Sequence, residues 1–356
     1  MITVSLCMIV KNEEEILPRC LDSIADMMDE IIIVDTGSTD GTKEVAKRYT
    51  DKVYDFEWTY DFAEARNYSF SLATKEYIYC ADADEVLNDF NRERFKKLKE
   101  TITSEIEIVQ MKYITPDKFN TVMNIRDEYR AKLYKRVRNF TWMDPIHETI
   151  RLNPIVFNSN IEILHMPQEL HAQRDFKIFL DTFAKEGVLS KKLHSMYAKE
   201  LFISGTRDDL KLSIPIFEKT LDDENAPVDM LDQALCILVR YTRMTQSYDD
   251  FIKYAMRAAV HFPCAEIFYE MGVYFYDKGD AEEAAHWFLE ATKTPAILDV
   301  HTCGDKALYG VAESYALLAR QIKSEPDYDR AYWASLQNSS KRYEAQAKSW
   351  RMPSER

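Results

Sequence analysis

Glycine and proline are scarce in this chain. Only 8 Gly and 11 Pro occur among 356 residues, which excludes a low-complexity, collagen-like or linker-rich protein. The six cysteines, Cys7, Cys20, Cys80, Cys236, Cys264 and Cys303, never form a C-x₂-C pair. That spacing argues against a zinc ribbon or a thioredoxin-type motif and fits thiols kept reduced in a cytoplasm. Positive charge is also short. The formal net charge is −14, which weighs against nonspecific binding to nucleic acid or to an anionic membrane. No apolar run reaches the roughly 18 to 20 residues of a membrane helix. Met1 to Val10 is apolar but has no basic segment before it, so it reads as a strand rather than a signal peptide. There is no G-x-G-x-x-G after that strand and no Walker A loop, which argues against a dinucleotide fold or a P-loop enzyme.

What remains is a chain that is 46% hydrophobic and long enough for two cores. The first half alternates strand and helix. Thr3 to Val10 is a continuous apolar run, as expected of a strand covered on both faces. Lys11 to Glu14 opens a helix carrying Ile16, Leu17, Cys20, Leu21 and Ile24 at helical spacing. Glu30 to Asp35, Lys52 to Asp55 and Tyr77 to Cys80 are further strands. The helices between them cover Thr42 to Tyr49 and the stretch after Asp61, a plausible N-cap. This order predicts right-handed crossovers and a parallel sheet, whose ligands bind outside the carboxyl ends of the strands. Acids gather at those ends: Glu13, Asp35, and the pair Asp82 and Asp84. Two carboxylates two residues apart on extended backbone point to one side. Such a pair suits a hard divalent cation that leaves positions open to phosphate oxygens.

Four ordered motifs now carry a resemblance: Met8-Ile9-Val10-Lys11-Asn12-Glu13-Glu14, Val34-Asp35-Thr36-Gly37-Ser38-Thr39-Asp40-Gly41-Thr42, Asp61-Phe62-Ala63-x-x-Arg66-Asn67 and Ala81-Asp82-Ala83-Asp84-Glu85. Together they resemble the family 2 glycosyltransferases of the GT-A fold, and more narrowly a bacterial branch in which TPR-like helices follow the transferase. That branch includes flagellin and bacteriocin-peptide glycosyltransferases. The resemblance implies a UDP-sugar donor, contacted by Glu13, Asp35, Arg66, Asp82 and His147. It implies Mn²⁺ or Mg²⁺ held by Asp84, Asp82 and His165, with His171 a second choice for the histidine. Ile146-His147-Glu148 matches a family segment on the acceptor side, although Trp142-Met143-Asp144-Pro145 replaces its usual glycine-containing approach. An inverting transferase needs a base beside the acceptor, and Glu148 is the first candidate with Asp144 the second.

The expected architecture is an α/β GT-A domain with a mixed sheet over residues 1–170, a connecting helix over 171–195 and an all-α TPR-like repeat domain over 196–356. Glu107 to Tyr113, Arg130 to Lys135 and Asn160 to His165 supply the mixed strands. A 34-residue helical repeat fits best over Ala265 to Leu298, with Gly272, Phe275, Gly279, Ala284, Phe288 and Ala291 at its small and aromatic positions. Such repeats bind a peptide or protein, or make a homodimer. The expected activity is metal-dependent, inverting transfer to a protein or peptide side chain, on Ser/Thr oxygen or Cys sulfur, in the cytoplasm. The alternatives are a lipid-linked or free saccharide acceptor, or a non-catalytic nucleotide-binding scaffold.

Overall fold

The structure, a computed structural model, describes residues 1–114, 128–150, 154–166 and 172–352. The chain divides into two compact units, Met1–His171 and Ala172–Arg356.

The first unit is built on one eight-stranded sheet. In chain order its elements are β1 (Val4–Val10), α1 (Leu17–Ile24), β2 (Glu30–Asp35), α2 (Thr42–Ala46), β3 (Val53–Asp55), α3 (Phe62–Ser71), β4 (Tyr77–Cys80), β5 (Glu85–Val86), α4 (Asp89–Thr101), β6 (Ile108–Ile114), β7 (Glu128–Lys135), the small hairpin β8 (Trp142–Met143) and β9 (Thr149–Ile150), and β10 (Val156–His165). The sheet order is β3-β2-β1-β4-β7-β6-β10-β5. Strands β1 to β4 pair in parallel. β7 then joins antiparallel to both β4 and β6.

β1 shows why the early strands are apolar without alternation. Val4, Leu6, Met8 and Val10 enter one buried cluster, while Cys7 enters a second cluster with Ile32, Val34, Ile78 and Cys80. Both faces are covered, so the strand is apolar except at Ser5, whose buried hydroxyl donates to Glu30. Each such side chain contributes roughly 1.5–3 kcal/mol by leaving water.

Two local expectations are corrected. Lys11 to Glu14 do not start a helix. Asn12 is left-handed (φ 57°) and α1 begins only at Leu17, with Pro18 in its first turn. The segment is held instead by the turn after β2: the Asn12 N–H donates to Ser38 Oγ at 2.9 Å, and Asn12 Oδ1 accepts from the Thr39 N–H at 2.8 Å. The second helix is also shorter than expected, ending at Ala46.

The second unit, among its described residues, is helical throughout: α5 (Ala172–Glu186), α6 (Lys191–Ser204), α7 (Arg207–Asp222), α8 (Val228–Met244), α9 (Tyr248–His261), α10 (Ala265–Asp277), α11 (Ala281–Lys293), α12 (Asp305–Lys323) and α13 (Arg330–Ser349). The connecting helix expected over 171–195 is two helices. Gly187 turns left-handed (φ 75°), and Ser190 caps α6 by accepting from the Leu193 N–H. Helices α10 and α11 are the pair expected from the best-fitting repeat. Phe288 of α11 packs so closely on Gly272 of α10 and Gly310 of α12 that a Cβ at either glycine would stand 2.6 Å from its ring. Six tyrosines along these helices, Tyr241, Tyr248, Tyr254, Tyr269, Tyr274 and Tyr276, are all half-buried.

Candidate active site

The acids at the strand ends are positioned by short-range backbone chemistry. At the end of β2, Gly37 is left-handed (φ 97°), which lets the Gly37 and Ser38 N–H groups converge on Asp35 Oδ1 at 3.0 and 2.9 Å. Asp35 is fully buried, and its Oδ2 has no partner among the described residues. A buried lone oxygen is costly unless a ligand's N–H or O–H meets it. The loop after β1 leans on the same turn. Glu13 N–H donates to Thr42 Oγ1 at 2.7 Å, and Glu14 Oε2 accepts from the Gly41 N–H at 2.8 Å. A Cβ at Gly41 would stand 2.5 Å from Glu14 Oε1.

At the end of β4 the chain turns into the two-residue strand β5. It pairs antiparallel with the end of β10, setting Glu85 opposite His165. Met166 N–H also donates to the Asp84 carbonyl at 2.9 Å. This pairing brings Asp84 Oδ2 to 3.0 Å from His165 Nε2, across 81 residues of sequence. The His165 ring tilts against Tyr113, centroids 4.9 Å apart, and the Arg130 guanidinium lies 3.9 Å from the centre of the Tyr113 ring. Adjacent donors on an octahedral ion with bonds near 2.1 Å stand about 3.0 Å apart. One carboxylate oxygen and one imidazole nitrogen at that spacing fit a divalent cation, and the imidazole favours Mn²⁺.

Asp82 does not join these two in a close three-ligand group. Two cations claim it instead: Arg66 Nη2 and Lys132 Nζ each lie 3.6 Å from one of its oxygens. Partial burial opposes ionisation there, yet Lys132, Arg66 and Arg130 hold the Asp82 carboxyl well below the usual carboxylate range. Lys132 is buried and ion-paired with Glu85. Burial pushes the Glu85 carboxyl up to about 7; Lys132 works against the shift, and Asp82 and Asp84 add to it.

Helix α3 carries the connection to the acceptor side. Asp61 caps it, accepting from the Glu64 N–H at 3.0 Å. Asn67 clips β8 in both directions: its Oδ1 accepts from Trp142 N–H at 2.8 Å, and its Nδ2 donates to Trp142 O at 3.0 Å. Phe62 N–H donates to Pro145 O at 2.9 Å. Arg66 then reaches three groups at once. Its Nε meets Glu148 Oε1 at 2.8 Å, its Nη1 donates to Cys80 Sγ at 2.7 Å, and its Nη2 faces Asp82. The guanidinium also lies 5.0 Å from the centre of the Trp142 ring.

The structure thus joins Asp82, Arg66 and Glu148 in one chain of charge, and Asp84 with His165 beside it. Asp144 is left-handed (φ 74°), and Thr149 Oγ1 donates to its Oδ2 at 3.1 Å. His147 is also left-handed (φ 51°) and exposed. His171 lies outside the described residues. Sequence reasoning missed Lys132, Arg130 and Tyr113. Arg130 and Lys132 share one face of β7, which sits between β4 and β6 and has no edge. Two cations on one face of a central strand are the signal that points to them. A cavity of about 350 Å³ lined by Phe70, Ile78, Tyr134 and Lys135 takes in Lys135, which pairs with Tyr77 at the start of β4, away from the acidic rim.

A sheet with a parallel half, an antiparallel insertion and acids at its strand ends defines an α/β domain of the GT-A class. Residues 5–161 match the Glycosyl transferase family 2 model, so the first unit carries a glycosyl transferase family 2 domain. Among curated proteins, the chain is 48% identical over 87 residues to a TPR repeat-containing protein of Synechococcus elongatus, covering 24% of this chain and 22% of that one. It is 29% identical over 165 residues to the SPbeta prophage-derived glycosyltransferase SunS of Bacillus subtilis, covering 45% of this chain and 36% of the relative. The chain therefore spans well under half the length of these first relatives. A lipopolysaccharide core biosynthesis glycosyltransferase LpsC of Rhizobium meliloti is 28% identical over 156 residues, covering 41% of this chain and 56% of that one. Among solved structures, glucosyl-3-phosphoglycerate synthase of Mycobacterium tuberculosis, with Mn²⁺, UDP-glucose and phosphoglyceric acid, aligns at TM-score 0.40 and 15% identity, over 53% of this chain and 82% of that one. Among the described residues no helix is long and apolar enough to cross a membrane.

Proposed function

We propose that this chain is a metal-dependent, inverting glycosyltransferase that moves a sugar from a UDP-sugar to a protein or peptide side chain. The observation that carries the reading is the Asp84–His165 pair, 3.0 Å apart at the carboxyl rim of a family 2 domain. Asp84 and His165, with Asp82 alongside, would hold Mn²⁺ or Mg²⁺ there, and the ion would supply positive charge to the departing diphosphate.

The chain's own residues supply the rest. Asp35 Oδ2, buried with no partner among the described residues, accepts from the nucleoside, and the backbone around Glu13 forms the facing wall. Arg66 and Lys132 add fixed positive charge beside the diphosphate, where preorganised cations lower the barrier most. Glu148 takes the proton from the attacking hydroxyl or thiol as its oxygen or sulfur bonds to the anomeric carbon and the bond to UDP breaks. Arg66 orients that carboxylate through the 2.8 Å contact. Asp144 is the second candidate for the base, and His147 borders the donor.

A polypeptide acceptor is supported by the helical unit, where an aromatic cavity of about 330 Å³ is lined by Tyr269, Tyr276, Phe288, Tyr309, Lys306 and Glu313. The likeness to LpsC favours a second reading, in which the acceptor is a saccharide. Two measurements test the proposal: UDP release from a panel of UDP-sugars with Mn²⁺, and intact-mass spectrometry of neighbouring gene products co-expressed with this chain. A hexose or N-acetylhexosamine mass increment on a polypeptide supports the first reading. UDP release stimulated by saccharides alone supports the second. UDP release no faster than that of Asp84→Ala overturns both and leaves a nucleotide-binding scaffold.

A further inference from the structure

We propose that Cys236, Cys264 and Glu266 bind a zinc ion inside the helical unit. Cys236 lies in α8, Cys264 is the N-cap residue just before α10, and Glu266 is in the first turn of α10. All three are buried, and Glu266 has no exposed surface. The two sulfurs are 3.4 Å apart, and each residue presents a ligand atom within 4.8 Å of the other two. Glu266 Oε1 is fully used, accepting from the Ile297, Leu298 and Asp299 N–H groups at 2.9, 2.6 and 2.8 Å. Its Oε2 is buried with no partner among the described residues.

Sulfur ligands at about 2.3 Å on a tetrahedral ion stand about 3.8 Å apart, close to the spacing here. A disulfide requires closure to about 2.05 Å and leaves the lone carboxylate oxygen as it is. Thiolates select zinc over manganese or magnesium. Binding replaces the two thiol protons, which go to solvent. Two thiolates, one carboxylate and Zn²⁺ carry one net negative charge. The three N–H groups on Oε1 and the positive end of α10, a 13-residue helix, face that charge. Sequence spacing concealed the set, because 27 residues separate the two cysteines in no familiar motif. The ion ties α8 to α10 and, through Glu266, to the segment 297–299.

The test uses the full chain, purified without a metal-affinity tag and assayed for metal by inductively coupled plasma mass spectrometry. One zinc per chain is expected, retained by Asp84→Ala and lost in Cys236→Ser and Cys264→Ser. Because the serine variants can fail to fold, the wild type is also stripped with a chelator. Its melting temperature should fall, recover with Zn²⁺ and not with Mg²⁺. Replacement by Co²⁺ should give a thiolate charge-transfer band in the near ultraviolet. Wild-type protein that holds no zinc after incubation with Zn²⁺, a Cys236–Cys264 disulfide in the native protein, or a Cys236→Ser variant that keeps its zinc overturns the proposal. None of these outcomes depends on glycosyl transfer.

Discussion

Glu85 in the sheet unit and Glu270 in the helical unit are both buried acids paired with cations, yet they are built differently. Glu270 has each oxygen taken by its own arginine: Arg240 Nη1 at 3.0 Å on Oε1, and Arg243 on Oε2. That cluster is closed. Glu85 gives one oxygen to Lys132 and leaves Oε2 without a partner among the described residues. Lys132 reaches past it toward Asp82, whose side chain is 40% exposed. Both carboxylate oxygens of Glu270 are met within the helical unit, whereas the charge around Glu85 runs outward to Asp82 at the surface. A closed ion cluster holds helices in register, and an open one is ready for a charged ligand.

The largest effect expected from breaking this contrast is at the open end. Asp84→Ala should lower metal-dependent transfer by about 10³-fold or more, with the melting temperature unchanged, because a rim carboxylate is not core. Assays of UDP release with Mn²⁺ and with EDTA check both halves of that statement. Glu148→Gln should slow transfer about 10²–10³-fold with UDP binding retained, the effect of removing a general base. Near-normal transfer would move the base to Asp144 and leave Glu148 as the partner of Arg66 alone.

The closed cluster should respond in the opposite sense. Glu270→Ala takes the shared carboxylate from the half-buried Arg240 and Arg243 and should cost about 1.5–3 kcal/mol of stability, read by denaturant unfolding, with little change in UDP binding. The smallest effect is a pH dependence in the helical unit. Burial lowers the pKa of His194 below its ordinary value, while its Nδ1 contacts Gln233 at 3.1 Å and its Nε2 contacts Thr220 at 3.1 Å. A histidine with a depressed folded pKa binds fewer protons when folded, so its contribution is present above the ordinary value near 6.5 and fades as pH falls below it. Melting temperature measured between pH 7.5 and 5.5 should fall more steeply for the wild type than for His194→Gln.

The same contrast explains what could be read in advance. The parallel strands were legible because burial on both faces leaves an uninterrupted apolar run, and Asp35, Asp82 and Asp84 stand where such runs stop. His165 was legible as the end of a late strand. Its approach to Asp84 was implied only by the family resemblance and not by residue pattern, because it depends on β5, a strand of two residues with no pattern to detect. Lys132 belongs to a segment that alternates like a strand, a pattern that does not reveal its burial. The fold places β7 between β4 and β6 and buries Lys132 against Glu85. The loop at Glu13 was misread because the apolar spacing from Ile16 onward extends a helical pattern backward, while Asn12 takes a left-handed conformation that spacing does not reveal. In the helical unit the repeat over Ala265 to Leu298 was visible from its glycines and aromatics. The Cys236, Cys264 and Glu266 group was not, since two helices that meet only in the fold bring it together.

The claim at the centre of this account is that Asp84 and His165 hold the cation that binds a nucleotide diphosphate. Isothermal titration of UDP into the protein tests it most directly. The account predicts clear binding with Mn²⁺, a loss of about tenfold or more in EDTA, and the same loss in His165→Ala even with Mn²⁺ present. Equal affinity in Mn²⁺ and EDTA, or a His165→Ala variant that binds UDP like the wild type, would contradict it.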